Sequence, residues 1–137
     1  MRSRGVTVLI PYPVLVEVAA VLTRLAERRP AERVVESLEA TSGYIIVYEE
    51  EYRRTALRVA LVTGCSGFDA YIIALAKDRN ALLITDDNAM SGHARALGVD
   101  NGSPTCYEPR EADKEDTLGH AVACLLAALS PASLSSR

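Results

Sequence analysis

Positive charge is in deficit in this chain: 15 lysines and arginines stand against 18 aspartates and glutamates, for a formal net charge of −3. That balance excludes a global field that would draw in nucleic acid or an anionic membrane, so any such role falls to local basic clusters or to bound metal ions. Cysteine is scarce and scattered. Cys65, Cys106 and Cys124 have neither the CxxC spacing of a zinc site nor the density of a disulfide framework, and a reducing cytoplasm is the expected setting. Long hydrophobic runs are absent as well. The longest late stretch, LGHAVACLLAAL at 118–129, contains a histidine and falls short of the ~20 residues of a membrane helix. The early run at Val6 to Ile10 is halted by Pro11 and Pro13 and has no small-residue cleavage site, which argues against a signal peptide. The two histidines, His93 and His120, are isolated, and no spacing supports a Cys/His nucleophile pair. Six tyrosines against one phenylalanine suit core edges better than base-stacking platforms, although Tyr12 lies close in sequence to Glu17 and Tyr71 to Asp69.

What is present is an ordinary globular balance. The 137 residues are 49% apolar and 24% charged, enough for one domain with one substantial core. Val6 to Ile10 reads as a buried strand, and Pro13 to Arg29 as a helix with Val14, Val18, Val21, Leu22 and Leu25 inward. Pro30 to Thr41 reads as a second helix, Tyr44 to Tyr48 as a strand, and Glu49 to Val62 as a helix with acids in its first turn. A turn at Thr63 to Gly67 leads into a helix over 68–80, a strand over 81–85, and a helix from Asn88 to Leu97 stopped at Gly98. A weak last strand is predicted at Pro104 to Tyr107. Strands alternating with helices predict an α/β fold with a parallel sheet of about four strands flanked by helices. Residues 1–108 form the predicted domain. Residues 109–137 are predicted as a charged linker, an apolar helix over 117–129 and a disordered tail.

Several carboxylates fit this framework poorly. Glu17 has Pro13, Val14, Ala20 and Val21 as its helical neighbours, an apolar face on which an ionised group needs a partner or a cation. The structural alternative is a first-turn glutamate satisfied by free backbone N–H groups. Asp69 shares its helix with Ile72 and Ile73, and Ser66-Gly67-Phe68-Asp69 has the form of a capping box. Asp86 and Asp87 end the apolar run Leu82-Leu83-Ile84, and only one of them is needed as a helix cap. In an open parallel sheet the ends of strands and the starts of helices share one edge, where such acids can converge. Carboxylates without Cys or His ligands suit hard ions such as Mg²⁺ or Mn²⁺, which activate water and clamp oxygens in phosphate chemistry.

The order of parts resembles a PIN domain, the metal-dependent ribonuclease fold used by VapC-type toxins. VLIPYPVLVEVAAVLTRL (8–25) resembles the family's second strand and the acid-bearing helix after it. GFDAYIIALAKDRNALLITDD (67–87) resembles its Asp-Ala helix followed by a strand ending in Thr-x-Asp. The resemblance spans about residues 5–107 and implies a three-layer α/β fold. It places Glu17, Asp69 and Asp87 on acidic metal and catalytic positions, with Thr85 and Asp86 supporting, around Mg²⁺ or Mn²⁺. The family's first strand, which is central and carries a further Asp, has no counterpart before Glu17. The expectation is therefore a first strand missing or replaced, in a chain shortened at its N-terminus, with an upstream segment, a shifted strand 6–10 or another chain filling the gap.

The function implied is an endoribonuclease that hydrolyses RNA phosphodiesters, in the form of the toxin of a toxin–antitoxin pair. Its expected partners are an RNA substrate, an antitoxin protein and a second copy in a homodimer, with no membrane. The alternative is a catalytically inactive PIN-like module that binds protein or RNA. A phosphoacceptor receiver domain fits less well, because its acid pair comes early and a lysine ends a late strand. Arg24 and Arg28, with Arg29 and Arg33, form one basic group, and Arg54 and Arg58, with Arg53, another. Such runs are usually a helix's solvated face; as RNA contacts they would hold the backbone without reading sequence.

Overall fold

The computed structural model describes residues 6–103 and the backbone of residues 120–123. Two prolines and a β-branched run set the first crossover. β1 (Thr7–Pro11) passes directly into α1 (Tyr12–Ala26), with Pro13 in the first turn, where a missing N–H costs no hydrogen bond. Val14, Leu15 and Val18 are its buried face. The helix stops three residues earlier than the sequence pattern suggests. Glu27 takes φ 92°, a strained setting for a residue with a Cβ, and α2 (Arg28–Ala40) starts beyond it, so Pro30 sits inside the first turn.

β2 (Tyr44–Val47) pairs parallel with β1. The acids Glu49–Glu51 form a separate 3₁₀ turn and not the first turn of the next helix. Between that turn and α3 (Arg53–Thr63), Tyr52 is buried edge-on against Tyr71. Inserting this large side chain at a chain reversal accounts for the break. α3 ends at Gly64 in the left-handed conformation and packs against α4 (Gly67–Asp78), the most deeply buried helix, with Ile72, Ile73 and Leu75 fully enclosed. β3 (Leu82–Ile84), α5 (Asn88–Ala96) and β4 (Asn101–Gly102) follow. β4 lies a few residues before the strand expected at Pro104 to Tyr107, which is outside the described residues.

The sheet has five parallel strands in the order β2-β1-β5-β3-β4. Its centre is β5 (His120–Ala123), drawn from the segment where an apolar helix was expected over 117–129. β5 pairs with β1 through Leu9↔Val122 and with β3 through Leu83↔Val122. The gap expected between these strands is thus filled by the same chain. β1 has not slid inward, and no second chain is needed to complete the ladder. The physical reason is cooperative: β1 and β3 would otherwise face each other with unpaired N–H and C=O groups in the core, and a strand satisfies both edges at once. The remaining linker, helix and tail expected over 109–137 lie outside the described residues. Among the described residues no single helix is long and apolar enough to cross a membrane.

Candidate functional site

Because every strand is parallel, all carboxyl ends open on one edge of the sheet. α4 descends into β3 through the turn at Arg79 and Asn80, so the start of α4 and the end of β3 share that edge. Asp69 is in the first turn of α4, where Ser66 caps the helix and its Oγ accepts from the Asp69 backbone N–H at 3.1 Å. The Ser66 half of the expected capping box is therefore present. Against the raising effects of burial and of Asp87, the Ser66 side chain also interacts with the Asp69 carboxylate itself and lowers its pKa.

At the end of β3 the chain turns through Thr85, Asp86 and Asp87. Thr85 is buried, its N–H donates to the Gly102 carbonyl at 2.9 Å, and its Oγ1 accepts from the Asp87 N–H at 3.1 Å. This polar anchor fixes the backbone of Asp87. The cap of α5 is Asp87, whose Oδ1 accepts from the Met90 N–H at 2.9 Å. Asp86, which had been a candidate cap, instead accepts from the Ser103 hydroxyl beside β4. Capping engages one oxygen of Asp87, and its second oxygen is not used by the cap.

Electrostatics links the two acids. The carboxyl of Asp69 is raised above its ordinary pKa by burial first and by the negative charge of Asp87 second; the Ser66 side chain and positive charge on His93 pull it down. Asp69 therefore lies in the fields of both Asp87 and His93. His93, isolated in the sequence, sits six residues beyond the Asp87 cap on half-buried α5 surface. No sequence pattern marked it, because its relation to Asp69 exists only through the packing of α5 near α4.

Glu17 behaves differently. It lies past the first turn of α1, so backbone N–H groups do not satisfy it, and it forms an ion pair with Arg24 at 3.8 Å. Its side chain is 43% exposed, so water and Arg24 supply the partners that its apolar neighbours do not. Among the described residues, no three His, Cys, Asp or Glu side chains gather closely enough to hold a metal ion. The basic groups divide similarly. Arg24 pairs with Glu17 and Arg28 with Glu32 at 2.7 Å, while Arg54 and Arg58 stand on the exposed face of α3. A groove of about 440 Å³ between α1 and α2 is lined by Ala19, Thr23, Arg28, Ala31, Glu32 and Val35 and includes none of the acidic candidates.

The family model of the PIN domain matches residues 2–96, well over half of the 137-residue chain. The chain belongs to the PIN domain family. No curated protein and no solved structure matches it. PIN domains are in general metal-dependent nucleases that act on RNA or other nucleic acids, and the mixed α/β architecture of this one agrees with that fold. The matched span contains Glu17, Asp69, Thr85, Asp86 and Asp87. The acid pair of this PIN domain suits a hard divalent cation. Asp69 and Asp87 are the residues that could hold such an ion, because a hard divalent cation such as Mg²⁺ commonly takes one or two protein carboxylates while water and substrate phosphate complete its shell.

Proposed function

We propose that this PIN domain is a Mg²⁺- or Mn²⁺-dependent endoribonuclease whose metal is held by Asp69 and Asp87, with Glu17 completing the acidic edge when substrate and cation are bound. The observation that carries the reading is that Asp69 and Asp87 meet at the carboxyl edge of the sheet, where burial and then the charge of Asp87 raise the pKa of Asp69. A bound divalent cation supplies charge neutralisation and a more acidic water. The chain's own residues do the rest. Thr85 and the Met90 N–H hold Asp87 in one orientation, and Ser66 holds the start of α4 so that Asp69 is presented beside it. His93 favours the ionised form of Asp69 when it is protonated. Arg54 and Arg58 are candidates for backbone contacts, whereas Arg24 first has to leave Glu17. The toxin role, an antitoxin partner, a homodimer and a cytoplasmic setting belong to the same proposal by family resemblance.

The test is RNA cleavage by the full chain with added Mg²⁺ or Mn²⁺ and with excess EDTA, alongside calorimetric Mn²⁺ titration of the wild type, Asp69→Asn and Asp87→Asn. The expected result is cation-dependent cleavage, lost in EDTA, with weaker Mn²⁺ binding in both variants. Undiminished cleavage in EDTA, or Mn²⁺ binding unchanged by both substitutions, refutes it.

A further inference from the structure

We propose that Tyr12 and Tyr48 form a base-stacking platform that makes single-stranded RNA the substrate of this site; the inference deepens the nuclease reading and rests on it. The register of the sheet places the two rings together. Pro11 pairs with Val47 as the last residues of β1 and β2, so the next residue of each strand leaves the sheet beside the other. Their ring centroids are 5.2 Å apart with planes 31° from parallel. Tyr48 is 54% exposed and Tyr12 is half-buried. A tyrosine pair formed only to seal the core would be covered, as Tyr52 is against Tyr71 at the base of α3.

The same register measures the platform against the acids. Leu9, Val122 and Leu83 lie in one row across β1, β5 and β3. Beyond that row β1 ends at Pro11, just before Tyr12, and β3 ends at Ile84, just before the Thr85-Asp86-Asp87 turn, so both leave the sheet at its carboxyl edge. With β5 between them, β1 and β3 are two strand spacings apart, roughly 10 Å at about 4.8 Å each, so the platform starts about that far from the strand that leads into Asp87, and β2 with Tyr48 lies about one spacing beyond. That distance is about three to four stacked nucleotides at about 3.4 Å each. Flat aromatic faces take any base, because every base has a π-face, but they need it unpaired. Glu49 and Glu50, following Tyr48, repel phosphate, while Glu51 is paired with Arg79. The platform therefore engages the base, while the sugar-phosphate chain runs toward the cation side of the edge.

The experiment uses the full chain with fluorescent oligoadenylate and oligouridylate 10-mers and an RNA duplex of equal length. Anisotropy in chelator measures binding, and steady-state cleavage with Mn²⁺ separates kcat from KM. Tyr48→Leu is expected to weaken single-strand binding and raise KM about 5- to 150-fold, with kcat little changed, the range expected for one stacked base. Tyr48→Phe is expected to remain near wild type, and the duplex to be insensitive to both. Unchanged single-strand binding in Tyr48→Leu overturns the proposal, as does equal damage in Tyr48→Phe, equal loss for the duplex, or no single-strand binding by the wild type. Tyr48-dependent binding without any metal-dependent cleavage supports the platform while refuting the nuclease reading.

Discussion

Asp87 carries two separable duties, and two substitutions resolve them. As the cap of α5 it accepts from the Met90 N–H at 2.9 Å, a bond that asparagine makes as well as aspartate and alanine cannot make. Asp87→Ala is therefore expected to cost about 1 kcal/mol of stability, roughly 3–6 °C in Tm for a domain of this size, whereas Asp87→Asn keeps the cap. Its charge acts in the opposite direction. Asp87 helps raise the pKa of Asp69, so ionising Asp69 is harder in the folded chain than in the unfolded one. For a carboxylate with a raised folded pKa, the associated stability is fully present below the unfolded value and is lost as pH rises through the folded value. Asp87→Asn removes one cause of the shift, so in chelator it should lose less stability than wild type over that pH rise. It should also move the Asp69 titration down toward its ordinary value. Thermal melts in EDTA across pH 3 to 8 measure the first effect, and carboxyl carbon NMR of Asp69 the second. Both substitutions are expected to abolish metal-dependent cleavage. The reasoning fails if Asp87→Asn melts as low as Asp87→Ala at neutral pH, or if the Asp69 titration does not move.

Asp86→Asn should keep most cleavage activity, since Asp86 holds Ser103 and not the helix start; a loss larger than that of Asp87→Asn would reverse the two assignments. Glu17→Gln breaks an exposed pair with Arg24 and should change stability by only about 0–1 kcal/mol in urea denaturation, while cleavage falls if Glu17 joins the site; full activity removes it from the proposal. Val122→Pro removes an N–H from the central strand and strands a buried partner, at a cost of about 1–3 kcal/mol, with faster amide exchange in β1 or β3; wild-type stability and exchange would refute the central placement of β5.

Much of the local structure was legible in the residues. Valines and leucines at three- and four-residue spacing marked α1, the run 82–84 marked β3, and Ser66 and the acid pair at 86–87 marked helix starts, because these signals depend on contacts a few residues apart. The adjacent acids were legible as a pair, but which of them caps α5 was not, since either side chain reaches the same N–H groups. What only tertiary structure decided is long-range. An alanine- and leucine-rich segment near 120 has the local character of a helix, yet its residues become the middle strand, because two exposed strand edges in the core outweigh a local preference of a few tenths of a kcal/mol per residue. Glu17 turned outward to Arg24, while Asp69 came into the fields of Asp87 and His93. Their distances depend on how α1, α4 and α5 pack on the sheet, and residue spacing carries no record of that.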